Sequence, residues 1–241
     1  MTDQNDPFIG ILMLDTRFPR PLGDAGNPES FAMPARIEVI KGAGSLDVVR
    51  NGRPAPELVD AFMSRARKLQ QQGAVAITST CGFLATIQTE MQQSLAIPVM
   101  LSALCLYGEI RQRHPLGRIG ILTASAASLG SEVLAAVGID HDSVVISGME
   151  DCPAFADAIL RAKSEQLETL DQQAIEADII HKATRMLVTN PDIAAFLLEC
   201  GNLPPYQQAL TEATGKPVYS ILDGVNGLVR AGASSPYRQE R

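Results

Sequence analysis

Ala74-Val75-Ala76-Ile77-Thr78-Ser79-Thr80-Cys81-Gly82-Phe83-Leu84 is an apolar run that ends in Cys-Gly-Phe-Leu, and the chain carries its plan twice. The second copy is Ala195-Phe196-Leu197-Leu198-Glu199-Cys200-Gly201-Asn202-Leu203. In each, Cys-Gly-x-Leu leads into helix-compatible residues and then Pro-Val, at Pro98-Val99 and at Pro217-Val218. The Pro lies 17 positions beyond the Cys in both copies. Upstream, Ile9-Gly10-Ile11-Leu12 is matched by Ile119-Gly120-Ile121-Leu122. A repeat on this scale decides the architecture before any single element does.

Working outward, Phe8–Leu14 reads as a buried parallel strand, continuous and apolar. Arg36–Ile40 is a second strand, Ala74–Ile77 a third and Ile97–Leu101 a fourth. Ala55–Gln72 has helical periodicity, with Leu58, Ala61, Phe62, Ala66 and Leu69 on one face. Phe83–Ser94 and Ala103–Arg113 are predicted helices. The second half follows suit, with strands at 118–122, 142–147, 193–198 and 218–222. Its helices are predicted at Ser128–Val137, within Pro153–Leu187 with a break near Lys163-Ser164, at Pro204–Thr214 and from Leu222 to about Val229. The last residues, from Ala231, are expected to fray.

Strands alternating with helices imply an α/β fold with parallel sheets covered on both faces. Two matching halves imply two pseudo-symmetric lobes with the active site in the cleft between them. Residues 1–101 and 221–241 are assigned to the first lobe, which carries Cys81. Residues 102–220 form the second, which carries Cys200. Ligands of such sheets bind beyond the carboxyl ends of strands, where both cysteines fall.

Composition narrows the function. The 241 residues are 46% hydrophobic, enough to bury a substantial core, and carry 20 basic against 27 acidic residues, a net charge of −7. No clustered basic patch suggests nucleic acid. No apolar run reaches the length of a membrane span. The polar, acidic start, Met1 to Pro7, is unlike a secretory signal, so the expected location is cytoplasmic and the four cysteines are expected to be reduced. The histidines, His114, His141 and His181, are scattered and lack metal-ligand spacing. No phosphate-binding Lys motif and no Cys-x-x-Cys is present.

Cys105, inside Leu104-Cys105-Leu106-Tyr107, reads as core, and Cys152 has no partner in the repeat. Cys81 and Cys200 match across halves, lie at strand ends and precede helices, whose N-terminal amides lower a thiol pKa. Two thiols facing one substrate can take a proton from one face of a carbon acid and return one to the other, which inverts a stereocentre. The amides of Gly82, Phe83, Gly201 and Asn202 are placed to hold a carboxylate or an enediolate. Thr80 adjoins the first thiol. The Pro- and Gly-rich stretch Phe18–Pro34 follows a strand end and reads either as a rigid surface excursion or as a cover for the cleft; as a cover, it brings Asp15 and Arg17 near the substrate.

These features resemble the aspartate/glutamate racemase superfamily over nearly the whole chain. That family includes amino-acid and hydantoin racemases, maleate isomerase and arylmalonate decarboxylase. The resemblance rests on the paired strand-end cysteines, the duplicated α/β plan and Thr123-Ala124-Ser125 after the fifth strand. It implies that Thr123 and Ser125 bind a substrate carboxylate. It also implies catalysis without pyridoxal phosphate, other cofactor or metal. Where aspartate and glutamate racemases follow the first Cys with Asn-Thr, this chain has Gly82-Phe83. It has Glu199 before the second Cys, where those enzymes have Gly. The expected function is a cofactor-independent racemase or epimerase of a carboxylate-bearing amino acid or derivative, using Cys81 and Cys200 as its two bases. A cis–trans isomerase or decarboxylase of the same superfamily, and a non-enzymatic two-lobed binding protein, are the alternatives. The expected partners are a small-molecule carboxylate and further copies of the chain in a homo-oligomer, with no nucleic acid and no membrane.

Overall fold

The computed structural model describes residues 6–233. Strands β1 (Phe8–Leu14), β2 (Ala35–Ile40), β3 (Ala74–Ser79) and β4 (Val99–Met100) form one parallel sheet in the order β2-β1-β3-β4. Strands β5 (Arg118–Thr123), β6 (Val144–Gly148), β7 (Ile193–Leu198) and β8 (Val218–Tyr219) form a second, in the order β6-β5-β7-β8. The repeat is thus a structural duplication: both sheets have the same parallel order, and both Cys-bearing strands lie beside the strand that opens their half. Gly10 pairs with Ile77 in the first sheet and Gly120 with Phe196 in the second. A Cβ at either glycine would stand within 2.7 Å of that partner's side chain, so both positions keep room for packing above the sheet.

Nine α-helices cover the sheets among the described residues: α1 (Ser45–Val48), α2 (Pro56–Gln71), α3 (Gln88–Ser94), α4 (Tyr107–Arg113), α5 (Ser131–Ala136), α6 (Pro153–Ile159), α7 (Gln172–Thr189), α8 (Gln207–Thr214) and α9 (Ile221–Ala233). Helix α2 buries Val59, Phe62, Met63, Ala66 and Leu69. Its buried stripe is turned slightly from the predicted one, leaving Leu58 and Ala61 half-buried. Helix α9 crosses back to pack on β3 and β4 of the first sheet. It begins earlier than expected because Asp223 caps its start: the Ser220 N–H and hydroxyl both donate to Asp223 Oδ2, at 2.8 and 3.1 Å. The expected frayed end lies, from residue 234 onward, outside the described residues.

Two other departures shape the site. The expected helix after Cys81 opens as a 3-10 turn, Gly82–Ile87, before α3; that after Cys200 opens as Pro204–Tyr206 before α8. Tight bonds from Leu84 N to Cys81 O (3.2 Å) and from Leu203 N to Cys200 O (3.1 Å) close the turns. The long helical region of the second half is interrupted from Leu160 to Asp171, around a short 3-10 turn at Lys163–Glu165.

Those irregular segments are straps. Residues 18–31 leave the first lobe and dock on the second: Ala25 N–H donates to Gly201 O (2.9 Å) and Asn202 Nδ2 to Asp24 Oδ2 (2.7 Å). Gly23, at φ +95°, turns the chain flat against Pro205, where a Cβ would approach Pro205 Cα to 2.8 Å. Residues 159–168 make the reverse crossing. The buried Gln166 accepts from Arg17 N–H (2.9 Å) and donates to Ser45 Oγ (3.3 Å), and Lys163 pairs with Asp15.

Candidate active site

Strands β3 and β7 deliver Cys81 and Cys200 to one enclosed cavity of about 20 Å³, lined from above by Phe18, Arg20, Ile159 and Leu160 of the two straps. The residues that precede and follow each thiol explain how the lobes meet. Gly82 lies against Glu199, the residue before Cys200; a Cβ there would stand 2.3 Å from Glu199 Oε1 and 2.5 Å from its carbonyl oxygen. Gly201 lies against Thr80, the residue before Cys81, at 2.7 Å from its carbonyl oxygen on the same measure. Each Cys-Gly turn therefore seats on the strand end of the other lobe, and only glycine permits that approach.

Both thiols are buried and free, as are Cys105 (half-buried) and Cys152 (buried). The backbone N–H of Phe83 favours charge on Cys81, and that of Asn202 favours charge on Cys200. Their help is outweighed. Burial, and then the Glu199 carboxylate, push both thiols well above the ordinary range. This corrects the expectation of thiols lowered towards neutrality: the turn behind Cys81 is short and 3-10, and desolvation of the thiolate dominates. Arg20 works the other way on Cys81, while Asp24 adds to the rise at Cys200.

Hydrogen bonding separates the two thiols further. Asp24 Oδ2 can only accept, so it fixes the Asn202 Nδ2 towards itself. Asn202 Oδ1 then lies 3.4 Å from Cys200 Sγ and accepts its proton. Asp24 is itself held by Arg20 Nη1 (3.1 Å) and Gly26 N–H (2.6 Å). Arg20 also donates to Thr16 Oγ1 (2.9 Å) and lies over the Phe18 ring.

Glu199 is the least expected member. It is 1% exposed. Its Oε2 accepts from Thr123 Oγ1 (2.7 Å), whereas Oε1 has no hydrogen-bond partner among the described residues. Burial pushes its carboxyl up to about 7, against the lowering effects of the Thr123 hydroxyl and then the Ala124 N–H.

The expected site residues divide. Thr80, Cys81, Gly82, Phe83, Cys200 and Asn202 line the cavity; Gly201 backs it. Thr123 lies behind Glu199 rather than open to a ligand. Ser125 turns away, its hydroxyl bonded to the Ser128 hydroxyl (3.2 Å) and accepting from Ser128 N–H (3.3 Å). Asp15 is drawn outward to Lys163 and Gly42 N–H, and Arg17 to Glu168 at the surface. Both were expected near the substrate; their ion pairs with the opposite strap turn them away. Arg20, Asp24 and Glu199 were missed. Glu199 had a legible signal in being an acidic residue inside an otherwise apolar strand end. Arg20 and Asp24 had none, because a Pro/Gly-rich stretch has no period from which to read direction.

No family model matches the chain. It is 30% identical to a dimethylsulfoniopropionate lyase from Durusdinium sp. clade D, over 95% of this chain and 76% of that protein. Among solved structures, unliganded arylmalonate decarboxylase superposes with a TM-score of 0.61 at 18% identity, over 98% of this chain and 97% of that one. Allantoin racemase from Klebsiella pneumoniae superposes with a TM-score of 0.63 at 17% identity, over 94% and 89%. The fold expectation stands on these structures. The racemase expectation does not stand: relatives that match in sequence over most of both chains are lyases. All three are enzymes, and this chain is placed among enzymes. It belongs to the dimethylsulfoniopropionate lyase family.

Proposed function

We propose that this chain is a β-eliminating lyase whose substrate is dimethylsulfoniopropionate or a close analogue. The observation that carries the reading is the convergence of two thiols, one carboxylate and one guanidinium on a single cavity, in a chain related to enzymes of that name. The substrate has an acidic C–H next to its carboxylate and a sulfonium on the next carbon. A base takes the C–H proton. The electron pair released forms the C=C bond of acrylate, and the C–S bond breaks with its pair leaving on neutral dimethyl sulfide. The proton remains on the enzyme and is lost to water.

The base is assigned to Cys81. Asn202 holds Cys200 protonated, while Arg20 favours charge on Cys81. Arg20 receives the substrate carboxylate, where its charge also steadies the developing enolate. At rest both thiols are held neutral by burial; an incoming sulfonium in so dry a site favours the thiolate and so activates it where it is needed. The cavity has room for about one water molecule, so a strap must lift to admit the substrate.

The test is direct. Purified protein is incubated with dimethylsulfoniopropionate, dimethyl sulfide is measured by headspace gas chromatography and acrylate by proton NMR. Equimolar release is expected. Unreacted substrate and no release, with a folded protein, overturns the reading.

A further inference from the structure

Among the described residues that line the cavity, Arg20 is the one cation and Glu199 the one carboxylate. Arg20 donates to Asp24 and Thr16 and not to Glu199, and its guanidinium keeps further N–H donors for a ligand. Glu199 keeps one oxygen buried without a partner. An unpaired buried carboxylate oxygen is costly, and nothing in the turn requires an acid there: the equivalent position in the first lobe is Thr80. Thr123 holds the far oxygen and so aims the free one at the cavity side, over Gly82.

We infer that Glu199 is the specificity-determining residue for an onium group, so that the site selects a zwitterion with a cation two carbons from its carboxylate and rejects the uncharged isostere. The inference rests on the reading above in placing the carboxylate at Arg20. In a low-dielectric site a carboxylate beside a full positive charge outweighs any contact between the methyl groups and the apolar wall of Phe18, Phe83 and Leu160. A carboxyl that titrates at about 7 is able to ionise as the cation arrives.

The experiment uses two probes of equal shape that cannot eliminate sulfide: 3-(trimethylammonio)propanoate and 4,4-dimethylpentanoate. Calorimetric titration of the full chain at neutral pH should give a preference of about tenfold or more for the cation, equivalent to about 1.4 kcal/mol. In Glu199→Gln the ratio should fall towards one while the neutral acid still binds; Glu199→Asp should keep the preference. A wild-type ratio near one, or an undiminished ratio in Glu199→Gln, overturns the inference. So does loss of both ligands in a Glu199→Gln variant that melts like wild type. Should that variant fail to fold, the wild-type ratio and Glu199→Asp decide. Dimethyl sulfide release is followed in the same preparation. No release with the preference intact removes the lyase reading alone; release without a preference removes this one alone.

Discussion

Gly82→Ala tests whether the seating of one lobe on the other sets the catalytic geometry. The new methyl would stand 2.3 Å from Glu199 Oε1 and 2.5 Å from Glu199 O, against ordinary contact at about 3.5 Å, so one strand end must yield by about 1 Å. The obstacle includes backbone, and Glu199 N is tied to Leu122 O at 2.8 Å, so rotation of the side chain alone does not relieve it. Overpacking of this kind costs about 1–3 kcal/mol of stability, and a displacement of about 1 Å at a reacting group costs about 10²-fold in rate. Urea denaturation gives the first quantity and dimethyl sulfide release the second. Gly108→Ala is the control: it lies exposed in α4 with nothing within 4 Å of its Cβ, and should stabilise by about 0.5–1 kcal/mol with turnover unchanged. Wild-type turnover in Gly82→Ala would refute the reasoning, because it would mean that the Cys-Gly turn can move without disturbing the thiols.

Cys81→Ser should reduce dimethyl sulfide release by about 10²–10⁴-fold, a serine hydroxyl being too weak a base. Cys200→Ser, which keeps a proton donor facing Asn202, should lose less; equal losses in headspace assays would end the assignment of the base to Cys81. Cys105→Ser and Cys152→Ala should retain turnover, since burial holds their thiols neutral at about 11 and about 12 and neither lines the cavity. The pH profile of kcat/KM should climb through the alkaline range without a plateau near neutrality, because burial raises the pKa of the base; a bell centred below pH 7 would contradict a thiolate base. Stability should also depend on pH through Glu199. The folded protein binds that proton more tightly than the unfolded chain, so the contribution is whole below about 4.5 and lost as pH rises through about 7. At about 1.4 kcal/mol per unit, that is roughly 3 kcal/mol between pH 4 and 8, and Glu199→Gln should flatten the curve in urea titrations.

The duplicated plan was legible because apolar runs, Cys-Gly pairs and the spacing to Pro-Val are local patterns that the fold uses directly. The ends of elements were less so. Ser220-x-x-Asp223 starts α9 with a cap the strand assignment overlooked, and helical periodicity does not separate the 3-10 openings of the Cys turns from the α-helices that follow them. The straps were half legible. Phe18–Pro34 showed its role by length and position, but the reverse crossing at 159–168 was hidden inside a helical pattern, since nothing in Arg161-Ala162-Lys163-Ser164 announces that Gln166 will be buried against Arg17 and Ser45. The direction of the thiol pKa shifts was misread for the same reason: helix N-termini are visible in sequence, whereas complete burial of both thiols, and for Cys81 a carboxylate from the other half, are properties of the closed cleft.

On the proposed reaction, the failure of the racemase expectation has a chemical cause that lies partly in the substrate. Racemisation and β-elimination share their first event, loss of a proton from the carbon beside a carboxylate, and one pair of strand-end thiols serves either. The fate of the carbanion is decided by what stands on the neighbouring carbon. If that group can leave with the bonding pair, expulsion outruns return of the proton from the opposite face. A two-base racemase needs its thiols interchangeable, one ionised as the other is protonated, in either direction. Here they are not interchangeable: Asn202, fixed by Asp24, accepts the proton of Cys200, and Arg20 favours charge on Cys81. The asymmetry is built by Arg20 and Asp24 of the first strap, residues with no counterpart at the cavity in the second strap, which contributes Ile159 and Leu160. A lyase tolerates that asymmetry and a racemase does not, so Asp24→Asn, which frees the Asn202 amide to turn, should raise deuterium wash-in at the α-carbon of recovered substrate in D₂O relative to dimethyl sulfide release. An unchanged ratio of exchange to elimination in that variant would show that the asymmetry of the thiols has no part in committing the carbanion to elimination.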